Sequence, residues 1–386
     1  VFLDPAFKEM WDKLVSFHPN RDPSISSRSY DSKTWIITYT ADNATTAMYL
    51  YKPGTWPPQL LLEMQPELNK FDMANMHTVV IPARDGLMLP AYLTLPRKPG
   101  VPTVLPACVV GNVPDLRPSA KEAIDSSPLK CPLDIKVPLV LYVHGGPWAR
   151  DTWGADSIVQ FLANRGYAVL QVNFRGSTSY GRNFSNVGNR EWGVGKMQHD
   201  LTDSVRWAIE KGIADPSKVC IWGASYGGYA TLAGLAFTPQ LYACGVDLVG
   251  VSNVATFLKS IPPYWKPLRI DFVNRVGDAE ANATLNQEIS PVFHARNIQA
   301  PLLIGQGMND PRVAKAESDQ MFRAMKSKGL DVEYIMYPDE GHGLVRPDNR
   351  LDFYSRMEQF LAKHLGGRAA PLLKPPGSSA RVITSA

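Results

Sequence analysis

Residues 218–236, KVCIWGASYGGYATLAGLA, constrain the fold of this chain more than any other stretch. Lys218–Trp222 is a short apolar run opened by the turn residues Asp215-Pro216-Ser217, and it reads as a buried strand. Tyr229–Ala236 is apolar on every side and poor in branched residues, as expected of a buried helix. Between them, Gly223-Ala224-Ser225-Tyr226-Gly227 fits G-x-S-x-G in a strand-turn-helix context. A turn this sharp strains the serine backbone and presses the positions two before and two after it against neighbouring main chain. Glycine at both answers a steric demand. The same turn lifts Ser225 Oγ out at a helix N-terminus, whose free N–H groups favour negative charge.

A buried strand feeding a buried helix needs a sheet around it, and the flanking sequence supplies one. Val137–Val143 reads as a strand ending in His144-Gly145-Gly146-Pro147, 158–165 as a helix stopped by Gly166, and Tyr167–Asn173 as the next strand. Met197, Leu201, Val205 and Ala208 mark one face of a helix ending at Gly212. After the serine turn come strands at 244–250, 301–306 and 332–337, a helix at 313–328, and a last helix to Leu365 with Asp348 as its N-cap. This alternation predicts an α/β fold, a mostly parallel sheet with helices on both faces, whose ligands bind at the carboxyl ends of the strands.

The first third differs. Residues 27–52 read as a short β meander, too little sheet to be stable alone, which looks like the end of a larger β array. A polar connector leads to a hairpin, 78–81 and 87–95, around Arg84-Asp85-Gly86. Residues 96–138 hold nine prolines and are expected to form an irregular insertion. Cys108 and Cys131 fall there and could pair, whereas Cys220 and Cys244 sit in core strands.

Composition excludes several partners. The net charge of +4 is spread in mixed sign with no basic stripe, so nucleic acid is not expected. No run approaches the roughly 18 apolar residues of a membrane span. The opening VFLDPAFKEMWDK carries charges and is no signal peptide, yet it lacks an initiator Met, so a targeting sequence could precede it. Sequons at Asn43, Asn183 and Asn282 do not fix the compartment, and a cytoplasmic location is only slightly favoured. No zinc spacing, P-loop or post-strand G-x-G-x-x-G occurs, so no metal or cofactor is expected. Oligomeric state stays open, a homo-oligomer included.

A serine hydroxyl is a poor nucleophile until a base takes its proton, so Ser225 calls for a histidine and a carboxylate to orient it. In this architecture the acid and then the histidine follow the serine, each on a loop after a strand. Asp310 follows PLLIGQGMN and His342 follows VEYIMYPDEG. His294 precedes a strand and His364 lies near the end of the last helix; Asp247 is inside a strand and Asp339 is too near His342. Oxyanion donors are expected from the N–H of Tyr226 and of Gly145 or Gly146, with His144 bracing that loop.

HGGPWARDTWG (144–154), YAVLQVNFRGSTSYGRNF (167–184), GASYGGYA (223–230), NDPRV (309–313) and DEGHG (339–343) together resemble the prolyl oligopeptidase family of serine peptidases. The likeness is greatest to its acylaminoacyl-peptidase and dipeptidyl-aminopeptidase-like branch, and it spans about residues 77–366. The resemblance implies an α/β-hydrolase domain at 77–367, preceded at 1–76 by the end of a β-propeller and followed at 368–386 by a flexible tail. It implies a triad of Ser225, Asp310 and His342, and a substrate-binding role for Arg312, with Trp265 as a second substrate-side candidate. Most of the propeller is missing, and the 96–138 insertion is longer than the family pattern. The implied activity is acyl-enzyme hydrolysis of short peptides, against a carboxylesterase with the same machinery or an inactive binding protein.

Overall fold

The computed structural model describes residues 3–110, 133–261 and 263–384. Its N-terminal unit is a helix laid on a four-stranded antiparallel meander. Asp4 accepts hydrogen bonds from Ala6 N and Phe7 N and, with Pro5 at the first helical position, starts α1 (Pro5–Phe17). The strands β1 (Asp22–Arg28), β2 (Trp35–Thr40), β3 (Ala47–Tyr51) and β4 (Gln59–Glu63) pair in chain order, the arrangement of one propeller blade. Trp35, Ile37 and Tyr39 alternate along β2 and, with Tyr51, pack on Leu14 of α1. The sequence reading contained neither α1 nor β4. The helix α1 covers one face of the meander, and the apolar surface left open is β4, where Leu60, Leu61 and Leu62 are about half exposed.

The hairpin β5 (Met76–Pro82) and β6 (Met88–Thr94) opens the second unit. Within the Pro-rich segment a single helical turn, α2 (Ala107–Val110), forms; residues 111–132, including Cys131, lie outside the described residues. Then follow β7 (Val137–Val143), α3 (Ser157–Arg165), β8 (Ala168–Val172), α4 (Arg182–Asn186), α5 (Lys196–Glu210), β9 (Ala214–Ala224), α6 (Tyr226–Phe237) and β10 (Cys244–Leu248). The strand β9 begins at Ala214, but its register against β7 shifts between Ala214 and Val219, and there Ser217 N and Oγ both donate to Asp215 Oδ1 (2.9 and 2.7 Å), so the turn residues Asp215–Ser217 form an irregularity within the strand. Residues 254–288, left unassigned by periodicity, carry α7 (Val254–Ser260), α8 (Lys266–Arg275) and α9 (Ala283–Glu288). The chain continues with β11 (Leu302–Gly307), α10 (Lys315–Lys326), β12 (Val332–Tyr337), α11 (Pro347–Leu365) and β13 (Arg381–Val382).

Nine strands form one sheet in the order β13-β12-β11-β10-β9-β7-β8-β6-β5. From β8 to β12 all neighbours are parallel, and β6 runs antiparallel to both β5 and β8. With its antiparallel hairpin and helix-covered parallel centre, this is the α/β-hydrolase fold behind a blade-like fragment. Strand order reverses at β7, with β8 on one side and β9 on the other, so the carboxyl ends of β7 and β9 border the crevice where such sheets bind ligands. The residues after Gly367, expected as a flexible tail, are instead fastened along α11. Ala370 N donates to Glu358 Oε1 (3.0 Å), Leu373 N to Ser355 Oγ (2.7 Å), and β13 pairs with β12. Asp348 lies inside the first turn of α11; the N-cap is Arg346.

Candidate active site

Ser225 sits between β9 and α6 with φ 59° and ψ −116°, backbone angles that a side chain rarely adopts. The flanking glycines explain how the turn closes. A Cβ on Gly223 would stand 2.5 Å from Gly227 C, and one on Gly227 would stand 2.1 Å from Val143 O. Tyr226 opens α6, so its N–H has no intrahelical acceptor and faces the same end of the sheet as the serine.

The loop after β7 lies against this turn. A Cβ on Gly145 would be 3.1 Å from Ala224 O and 3.6 Å from Ser225 Cβ. His144, buried and stacked on Phe174, bonds Gly145 O through Nδ1 (2.8 Å) and Ser177 Oγ through Nε2 (3.0 Å). A carbonyl only accepts, so Nδ1 carries the hydrogen and Nε2 accepts from the Ser177 hydroxyl. Burial pulls the His144 pKa down to about 4, which keeps the ring neutral and this pattern intact. Because Gly145 O turns towards His144, the N–H of Gly146 in the same trans peptide turns the opposite way.

Asp310 follows β11 and His342 follows β12, and His342 Nδ1 bonds Asp310 Oδ2 at 2.7 Å. The other carboxylate oxygen accepts Arg312 N (2.8 Å) and Val313 N (2.9 Å), so the acid is held by its own loop. A histidine bonded through Nδ1 to a carboxylate keeps Nε2 for accepting a proton. Among the described residues no hydrogen bond joins that nitrogen to Ser225 Oγ; in unliganded sites this contact is often long and closes with substrate. Arg312 is exposed, its guanidinium 6.0 Å from the Trp265 ring centre, so the two substrate-side candidates meet at one place. The alternatives lie elsewhere: His364 packs on Phe360 at the end of α11 and His294 on Phe237. Asp247 is fully buried on β10 beneath the serine turn, and burial pushes its pKa up to about 7.

Sequence reasoning missed a further set of residues. Asp339, Glu340, Asn349 and Ser379 form a hydrogen-bonded chain around the His342 loop, with partners up to 40 positions apart, a spacing no local window reveals.

Comparison with known proteins bears on the fold and the family. The model of the prolyl oligopeptidase family matches residues 153–368, which include Ser225, Asp310 and His342. Dipeptidyl aminopeptidase BIII of Pseudoxanthomonas mexicana is 45% identical over 387 residues, covering 100% of this chain and 52% of that protein. Dipeptidyl peptidase family member 6 of Caenorhabditis elegans is 41% identical over 384 residues, covering 98% and 50%. The crystal structure of Pyrococcus horikoshii acylaminoacyl peptidase superposes with a TM-score of 0.71 at 21% identity, covering 90% of this chain and 50% of that one. The chain thus spans about half the length of the curated relatives it matches. The family match over more than half of the chain and the identity to full-span relatives lead to one conclusion: this chain belongs to the prolyl oligopeptidase family.

Proposed function

We propose that the chain is the catalytic part of a serine peptidase that hydrolyses short peptides through an acyl-enzyme. Ser225 Oγ attacks the scissile carbonyl while His342 Nε2 takes its proton, and Asp310 keeps the imidazolium oriented and stabilised. The N–H groups of Tyr226 and of Gly146 or Gly145 receive the oxyanion. His342 then returns the proton to the leaving amine, and water repeats the sequence on the acyl-enzyme. The observation that carries this reading is the 2.7 Å bond between His342 and Asp310 at the edge of the sheet that presents Ser225. Arg312 beside Trp265 supports a peptide over a simple ester, because its charged donor can hold a backbone carbonyl that a small ester lacks. The names of the two curated relatives support release of dipeptides.

Profiling the full-length protein against a peptide library and against p-nitrophenyl esters tests the proposal. Cleavage of short peptides, lost in Ser225→Ala, is expected. Ester turnover without any peptide cleavage would establish the carboxylesterase alternative instead.

A further inference from the structure

The loop that carries His342 is tied down by its own Glu340 and by groups from outside it. Glu340, buried, accepts Val345 N (3.0 Å) and Arg346 N (2.9 Å), folding residues 340–346 against the start of α11. Asn349, wholly buried in α11, spends both amide hydrogens on the same loop, one on Glu340 Oε1 (2.8 Å) and one on Asp339 Oδ1 (2.9 Å). Its amide oxygen faces the C-terminal segment and accepts Ser379 N at 2.9 Å. Ser379 Oγ lies against both Asn349 Oδ1 (3.3 Å) and Asp339 Oδ1, and its single hydrogen goes to the carboxylate, the closer of the two. Arg346 Nε holds the other Asp339 oxygen at 3.0 Å. On either side of Ser379 the segment is seated as closely. A Cβ on Gly377 would stand 2.0 Å from Asp348 Oδ2; beyond it β13 pairs with β12, and Ile383 N donates to Tyr334 O (2.8 Å).

Residues 377–383 therefore touch both the strand that enters the His342 loop and the helix that leaves it, and they lie beyond the family match, which ends at 368. We propose that this segment is a strap that positions His342 for proton transfer, with Ser379 and Asn349 as positioning residues; the proposal rests on reading His342 as the general base. Asp310 fixes the rotation of the ring through Nδ1, whereas the strap fixes where the loop stands relative to Ser225. Reaction rate is sensitive to displacements of about 1 Å at such a distance. Among the described residues no hydrogen bond or ion pair joins the strap to Arg312 or Trp265, so its loss should spare substrate binding.

The test uses the full-length protein and a peptide anilide. Ser379→Ala should lower kcat about five- to tenfold with KM changed by less than about twofold. Deleting residues 379–386, which also removes the backbone donor to Asn349, should lower kcat at least as much. Ser379→Thr keeps the hydroxyl and should recover kcat to within about twofold. The strap is overturned if Ser379→Ala and the deletion both keep wild-type kcat. It is equally overturned if kcat falls only in step with the thermal midpoint and Thr fails to restore it, since that is loss of fold and not of position. His342→Ala separates the underlying reading: full turnover there removes His342 as base, whereas an inactive His342→Ala beside a fully active Ser379→Ala and deletion removes only the strap.

Discussion

Around Ser225 main chain is held by main chain: a Cβ on Gly223 or Gly227 would stand 2.5 or 2.1 Å from a backbone atom. Around His342 the loop is held by side chains, its own Glu340 together with Asp310, Asn349 and Ser379, which arrive from three other parts of the fold. The first kind of support is rigid and depends on adjacent residues. The second is assembled only when the sheet and α11 are complete, and it can be loosened one hydrogen bond at a time. Substitutions should therefore act abruptly on the serine side and by degrees on the histidine side.

The largest effect should come from Ser225→Ala, with kcat on peptides falling by roughly 10⁴- to 10⁶-fold while the thermal midpoint stays unchanged. An unchanged midpoint would show that the glycines, not the serine, hold the turn; turnover within tenfold of wild type would remove Ser225 as nucleophile. Next is Gly227→Ala, whose methyl must displace Val143 O. Overpacking of this kind costs about 1–3 kcal/mol and should lower the melting temperature and turnover together. A Gly227→Ala protein with wild-type melting and activity would show that the serine side is not rigidly packed.

Arg312→Ala probes the histidine side through the loop that holds Asp310. A charged donor to a carbonyl contributes about 1.5–3 kcal/mol, so kcat/KM on peptides should fall about ten- to a hundredfold, with little change on a short p-nitrophenyl ester. Equal losses on both substrates would point to damage at Asp310 instead.

The smallest effect on turnover, none, is expected from Asp247→Asn, which bears on stability alone. Burial raises the Asp247 pKa from its ordinary 3.8 to about 7, so over that interval the folded chain keeps a proton that the unfolded chain releases. Stability from this group is thus lost as pH rises from about 4 to about 7 and is level above that. Melting curves should show wild type falling behind Asp247→Asn by several degrees as pH rises across this window, and parallel curves would refute the assignment.

The same contrast explains what could be read beforehand. Ser225, its glycines and the post-strand positions of Asp310 and His342 follow from patterns a few residues long, and the strand-helix alternation of 137–365 is equally local. The helix α1 carries a legible local signal in Asp4-Pro5, an N-cap followed by proline at the first helical position. Helices α7 to α9 are 6 to 10 residues long, too short for periodicity to separate them from loop. The strand β4 has three consecutive leucines and no alternation. The C-terminal strap has no pattern of its own, because Ser379 is ordered by Asn349 and Asp339, residues that only the fold brings near.

The proposed chemistry stands or falls on His342 activating Ser225 from across the sheet. The decisive experiment treats the full-length protein with a fluorophosphonate at neutral pH and maps the adduct by peptide mass spectrometry. A single adduct on Ser225 is expected, formed at least roughly a hundredfold more slowly in His342→Ala although that protein is folded. Folded wild-type protein that leaves Ser225 unlabelled, or a His342→Ala protein labelled at the wild-type rate, would contradict this activation.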